Sequence, residues 1–300
     1  MPGRILVGTC SWADKSLVDC NCFYPPEAKT PEARLRFYAS RFPVVEVDST
    51  YYGLPIDNSN AARWVERTPE EFVFDIKAFR LLTQHPTPPQ SLPPDLREGI
   101  ADVARGKRNL YYRDFSERAL GNIWQRFADA LLPLDSAGKL GVVLFQFPPW
   151  FLPGRDNAAH IVEAKERLPQ YKIAVEFRNG RWFSEKNRER TLDLMRSNDI
   201  PLVAVDEPQG FESSIPPLAE ATSDIGIVRF HGRNREMWER RGATTGDRFD
   251  YLYSEDELEE WVSPVQRLAE TAREVHVLMN NCVRDKAVVN AGQMRMLLGA

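Results

Sequence analysis

Short apolar runs recur along the chain, and most of them end in charged or amide side chains. They are Ile5-Leu6-Val7-Gly8, Val44-Val45-Glu46-Val47-Asp48, Phe72-Val73-Phe74-Asp75-Ile76-Lys77, Val142-Val143-Leu144-Phe145-Gln146, Ile173-Ala174-Val175-Glu176-Phe177-Arg178, Leu202-Val203-Ala204-Val205-Asp206, Ile227-Val228-Arg229-Phe230-His231 and Val275-His276-Val277-Leu278-Met279-Asn280. Between them lie segments with helical spacing, at 31–42, 61–68, 117–132, 158–168, 186–198, 255–272 and 285–298. Start signals support several of these, such as Thr30 before Pro31 and Ser254 followed by Glu257. Strand then helix, repeated along the chain, predicts parallel strands with helices outside, and this number of repeats predicts a single (β/α)8 barrel of the TIM type. A doubly wound open sheet would carry a glycine-rich phosphate turn after its first strand, and Gly8-Thr9-Cys10-Ser11-Trp12 is not one.

Residues at the C-terminal ends of barrel strands are where this architecture does chemistry, so the polar run-ends mark a candidate site. Strand side chains alternate faces, and the face against the helices should be apolar. The fifth run sorts cleanly on that rule: Ile173, Val175 and Phe177 outward, Glu176 and Arg178 inward. The same test places Glu46, Asp48, Asp75, Lys77, Gln146, Asp206, Arg229, His231 and Asn280 inward, with Cys10 and Cys282 on that face.

Charges gathered in a low-dielectric barrel must be paired or hydrated. Two readings stay open. In one, Glu176, Arg178, Asp206 and Arg229 form a neutralised network that fills a wet barrel top. In the other, Glu176 and His231 are an acid/base pair with Asp206 and Lys77 assisting, or Glu46, Glu176, Asp206 and His231 are ligands of a divalent metal. A single inward histidine weighs against the metal. Arg178, Arg229 and Arg233 would hold an anion, since guanidinium forks suit phosphate or carboxylate, while Glu46, Asp48, Gln146 and Asn280 orient the ligand. Trp12 and Trp182, each in a short loop after a strand, are candidates to stack on a sugar or base. Trp150, Trp238, Tyr51 and Tyr52 lie near other strand ends.

One long connection, 81–116, follows the third strand and carries Thr83, His85 and a basic stretch from Arg105 to Arg113. Loops of this length are usually functional, and its position predicts a lid over the mouth. The four cysteines are too few for a disulfide scaffold. Cys10, Cys20 and Cys22 follow the first strand and Cys282 the eighth, which are neighbours in a closed barrel, so all four are expected near one side of the mouth. Their spacing matches no standard zinc or cluster pattern, and free thiols are the commoner outcome.

Apolar content of 43% and charged content of 27% are those of a folded globular chain. No run approaches the roughly 20 apolar residues of a membrane span, and no signal-peptide apolar region follows Met1, so a cytoplasmic protein with no membrane contact is expected. A net charge of −4 argues against coating nucleic acid through bulk electrostatics.

Several segments together resemble the domain-of-unknown-function 72 family, also called YecE-like. These are Gly8-Thr9 with Ser11-Trp12, Phe23-Tyr24-Pro25, Glu46 to Tyr52, Phe74 to Lys77, Thr83 with His85, Gln146 to Pro149, Glu176 to Arg178, Arg229 to Arg233, and Asn280-Asn281. The resemblance runs in order from about residue 5 to 295 and implies a TIM-type barrel without an established activity. The chain departs from the pattern at Cys10 and 14–22, where a Gly-Trp-Ser-Tyr-like run is usual, and at Asp48, where Asn is common.

These readings favour a hydrolase, lyase or isomerase acting on a small anionic or sugar-like molecule by acid/base chemistry. A phosphodiester-processing barrel using Arg233, Arg235, Arg240 and the basic insertion is the rival from the nucleic-acid class. A non-catalytic ligand or partner module is the third.

Overall fold

The computed structural model describes residues 2–54 and 58–300. All eight expected strands form: β1 Arg4–Thr9, β2 Val44–Val47, β3 Val73–Lys77, β4 Leu140–Gln146, β5 Ile173–Glu176, β6 Val203–Asp206, β7 Ile225–Phe230 and β8 Glu274–Met279. They pair in parallel in the order β5-β4-β3-β2-β1-β8-β7-β6. A bridge between Val175 and Leu202 joins the two ends, with the Val175 N–H donating to Pro201 O at 2.9 Å. The sheet is thus a barrel ringed by helices.

β1 and β8 pair in register along six residues, from Arg4 opposite Glu274 to Thr9 opposite Met279. β1 and β2 share only Thr9 opposite Val45. Tyr38 fills that seam, accepting from Thr9 N–H at 2.8 Å and donating to Val44 O at 3.1 Å. Gly8 permits the close approach, because a Cβ there would stand 2.0 Å from Val44 O.

The helices begin where their caps predict. Thr30 Oγ1 accepts from Ala33 N–H ahead of the helix Pro31–Ala39, and Ser254 and Glu257 form the reciprocal capping box. The helix expected across 255–272 is two, Glu255–Glu259 and Val262–Thr271. Pro264 has no N–H to bond Glu260 four residues back, so the chain restarts there. At the break, the Trp261 indole turns onto Phe230 and Asp206.

The 81–116 segment is anchored. Thr87 and Leu110 form an antiparallel bridge. Tyr112 OH donates to Glu163 and accepts from Trp124 Nε1, both at 2.9 Å, and Arg126 pairs with Asp95. Its first residues reach the mouth; the remainder, with short helices at Pro94–Gly99 and Ala101–Ala104, lies against the long helix Glu117–Ser136. Among the described residues no helix is long and apolar enough to cross a membrane.

Candidate active site at the barrel mouth

The innermost element is a fully buried guanidinium. Arg229, on β7, donates from Nε and Nη2 to the two oxygens of Glu46 on β2, at 2.8 and 2.7 Å, and from Nη1 to Glu176 on β5. Its Nη2 also lies 3.6 Å from Cys10 Sγ. Against the burial that alone would raise it, Arg229, His231 and Arg178 hold Glu176 well below the ordinary carboxylate range. Glu176 is saturated: Gln146 Nε2 donates to Oε1 at 2.7 Å, and His231 Nε2 lies 2.9 Å from the same oxygen. Asn280 Nδ2 is 2.9 Å from His231 Nδ1. Burial holds His231 neutral, with its pKa down to about 4 despite Glu176. Phe249 and Trp238, from the loop after β7, cover the imidazole.

Above this floor the free charge is mostly positive. Lys77 Nζ stands 3.2 Å from Asp48 Oδ1 and over the Tyr51 ring. Arg80 lies over the same ring. Arg178 rests on Trp238, 4.7 Å from the ring centre, and only 3.5 and 3.6 Å from Glu176 and Glu207. His85 reaches in from the insertion, its Nδ1 2.9 Å from Thr83 Oγ1. Burial, together with the fields of Lys77, Arg80 and Arg178, lowers its pKa to about 3, so it too is neutral. Glu207 accepts from Ile215 N–H at 2.8 Å through Oε1, and its buried Oε2 has no hydrogen-bond partner. Burial raises it to about 7 against the opposing pull of Arg178. Trp238 Nε1, Asp48 Oδ1 and Arg80 Nε are likewise buried without hydrogen-bond partners.

The expected set is therefore assembled in part. Glu46, Glu176, Gln146, Arg229, His231 and Asn280 meet at the floor, with Asp48, Lys77 and Arg178 above them. Asp206 does not join. Its register partner is the outward Phe230, and it accepts from Tyr253 OH, Trp261 Nε1 and Arg233 on the helix side of the sheet. The run Val203-Ala204-Val205 is apolar on both faces, so alternation alone left its phase open; Glu207, one residue on, takes the inward position. Arg233 is bound to Asp206 and Glu260 outside the axis. They line a cleft of about 460 Å³ with Arg235 and Pro264.

Trp12 and Trp182 are not platforms. Trp12 abuts Trp64 and Phe74 in the barrel–helix gap, and Trp182 stacks on Phe177 and donates to Phe151 O at 2.7 Å. Each is an indole filling a gap under its own loop. Exposed rings among the described residues are Trp150, Tyr52 and Tyr111. Trp150 faces His85 at 6.0 Å and lines a cleft of about 520 Å³ with Gln84, Pro86, Tyr111, Tyr112 and Arg113.

Asp75 points inward but deeper, where a second inward histidine was not foreseen. His276 Nδ1 lies 2.8 Å from Asp75 Oδ2, and its Nε2 2.8 Å from Glu274 Oε1, while Arg4 donates to Glu274 Oε2 from outside. Nor do Glu46, Glu176, Asp206 and His231 form a metal shell, because Arg229 occupies the first two and Asp206 faces away. The four cysteines lie on the β1–β8 side of the mouth as expected, Cys10 buried beside Arg229, Cys282 half-buried, and Cys20 and Cys22 at the rim. Of the cations proposed for a nucleic-acid backbone, Arg240 pairs with Glu236, Arg105 with Asp102 and Lys107 with Asp114, while Arg235 donates to Gln209 O and Arg113 lies over the Tyr111 ring.

The sequence held signals for the missed residues. His85 stands in the Thr83-x-His85 segment, Glu207 adjoins Asp206, and His276 alternates correctly with Leu278 and Asn280. Trp238 was visible only as one of several aromatic residues near strand ends.

Residues 6–300 match the family described as "Protein of unknown function DUF72". The chain belongs to the DUF72 family. It is 33% identical over 298 residues to the UPF0759 protein YunF of Bacillus subtilis (strain 168), covering 98% of this chain and 94% of that one. A DUF72 family crystal structure from Enterococcus faecalis V583 superposes with a TM-score of 0.79 at 27% identity, over 99% of this chain and 96% of the other. Another from Thermotoga maritima MSB8 gives 0.76 at 28%, over 99% and 100%. Membership of the DUF72 family and the TIM barrel agree with the resemblance drawn from the motifs.

Proposed function

We propose that this barrel is an enzyme that binds a small anionic or sugar-like molecule at its mouth and acts on it by acid/base chemistry. The observation that carries the reading is Glu207 Oε2, buried without a hydrogen-bond partner 3.6 Å from Arg178. A carboxyl group whose pKa lies near neutrality is matched to proton transfer at physiological pH. Glu176 is less suited, since Arg229, Gln146 and His231 saturate it. It serves with His231 and Asn280 as the rigid support beneath the ligand. Lys77, Arg80 and Arg178 supply the field that attracts the anion, and neutral His85 offers a hydrogen-bonding edge. The cleft beside Trp150 has room for an attached ring, and an exposed indole suits the flat face of a sugar.

The test is thermal unfolding of the full chain in rising inorganic phosphate against chloride at matched ionic strength, for the wild type and for Lys77→Met/Arg178→Met. Phosphate-specific stabilisation that the double variant loses is the expected result. Equal responses of the two proteins, or none in either, would overturn anion binding at the mouth. A library of phosphorylated and carboxylated sugars then serves to find turnover, with Glu207→Gln as the inactive control.

A further inference from the structure

The mouth makes no use of a group of donors at its rim. Cys20 and Cys22, after β1, and Asp285, after β8, bring two thiols and a carboxylate together, each donor within 4.8 Å of the others. The sequence separates them by more than 260 residues, but β1 and β8 are paired neighbours, so the barrel fixes their loops side by side. Ser16 ties those loops independently of any ion: its Oγ donates to Asp14 Oδ1 at 2.6 Å and accepts from Arg284 N–H at 2.8 Å.

The backbone serves the same arrangement. Asn21, between the two cysteines, has φ 51°, and Arg284, immediately before Asp285, has φ 56°. Both are left-handed non-glycine residues, a conformation that costs energy and persists where the surroundings impose it. Here it turns both thiols to one side and aims the carboxylate at them. The Cys22 N–H donates to Cys20 Sγ at 3.2 Å, and Arg284 Nη2 lies 3.9 Å from Cys22 Sγ.

We propose that Cys20, Cys22 and Asp285 bind a thiophilic divalent cation, zinc by its ligand chemistry, with the fourth position open to water. Sulfurs bound to tetrahedral zinc at about 2.3 Å stand roughly 3.8 Å apart, so these donors need close in by only about 1 Å. Two thiolates and one carboxylate favour zinc over calcium or magnesium, which take oxygen ligands. Each thiol releases its proton to solvent on binding, so affinity rises with pH. The site is separate from the anion-binding mouth, and either reading can fail alone.

The test uses the full chain, reduced and stripped by a chelator, titrated with cobalt(II) alone and then zinc(II) alone. One equivalent of cobalt should give thiolate-to-metal charge-transfer absorption that zinc abolishes. Cys22→Ser, left with the single thiolate of Cys20, should lose about half of that absorption per bound cobalt and weaken zinc binding by about a hundredfold or more, beyond what loss of an outer partner produces. Asp285→Asn should keep the absorption and bind zinc at least about tenfold more weakly. Cys22 is exposed, so metal-free Cys22→Ser should unfold at the wild-type temperature, and zinc should stabilise the wild type alone. Cobalt bound without charge transfer, equal zinc affinity in Cys22→Ser, or a fully reduced wild type that takes up neither ion would each overturn the site.

Discussion

Arg229 on β7 and Glu46 on β2 form a two-point ion pair across the barrel interior, at 2.8 and 2.7 Å, with no solvent exposure of either side chain. Glu176 takes the remaining end of the guanidinium. The pair links β2 to β7, and through Glu176 it links both to β5. Glu176 stays ionised on this cation, while burial, against the pull of Arg229, raises Glu46 to about 8, so near neutrality the floor is close to balanced and Lys77 and Arg178 stand above it as positive charge.

Removing that cation exposes how much the floor depends on it. Arg229→Met leaves the buried Glu176 carboxylate without its cation and Glu46 without its two donors, and a loss of about 3–5 kcal/mol is expected in urea unfolding. Glu176→Gln should fall in the same range, because it breaks a buried pair and turns an amide onto donors. Lost activity in Glu176→Gln would therefore not by itself assign chemistry to Glu176. Either variant unfolding within 1 kcal/mol or so of wild type would mean that the pair is solvated.

Asp206 tests whether polar run-ends of barrel strands are chemical or structural. It anchors Tyr253, Trp261 and Arg233 on the helix side of the sheet. Asp206→Ala should cost about 3 kcal/mol or more, since it strands several donors at once. Anion affinity at the mouth should be unchanged in the surviving folded protein. A fall in affinity larger than the fall in stability would place Asp206 in the ligand's reach.

Much of this site was legible in the sequence because parallel strands alternate strictly. Where one face is apolar and the other charged, as at Ile173 to Arg178, the phase is unambiguous, and Glu176, Arg178, Arg229, His231 and Asn280 were placed correctly. It failed at β6, where Val203, Ala204 and Val205 are apolar on both faces and only contacts across to Tyr253 and Trp261 settle which way Asp206 turns. The aromatic residues were illegible for a related reason. An indole after a strand looks the same whether it fills the barrel–helix gap, as Trp12 and Trp182 do, or covers the mouth, as Trp238 does. Long-range contacts decide, and local pattern does not contain them.

The lower layer gives stability its own pH dependence. Against burial, Asp75 and Glu274 raise His276 from 6.5 to about 9. A histidine whose folded value is raised contributes stability that is complete below pH 6.5 and lost as pH rises through about 9. The contribution is on the order of 3 kcal/mol. His276→Gln should flatten that part of the urea-unfolding profile. Gly141→Ala should disturb the same contact, because a Cβ would stand 2.3 Å from Asp75 Oδ1, and a loss of about 1–3 kcal/mol is expected. A wild-type profile flat between pH 6.5 and 9 would mean that His276 is neutral in the folded protein.

Glu207 imposes a different pH dependence, on ligand affinity. Protonated below about pH 7, it leaves Arg178 free to meet an anion; ionised above it, the carboxylate competes for that guanidinium and repels the ligand. Affinity for a dianion should therefore fall as pH rises through about 7, even though the ligand's own charge is constant there, as for sulfate. Glu207→Gln carries no such charge and should bind sulfate equally on both sides of neutrality. The effect bears on Arg178 more than on Lys77, because Lys77 already has Asp48 as its partner at 3.2 Å. Sulfate titrations of Lys77→Met should then keep the pH dependence while losing affinity, and those of Arg178→Met should lose both. Were the dependence to survive in Glu207→Gln, the titrating group would lie elsewhere in the mouth, and the proton-transfer role would pass from Glu207 with it.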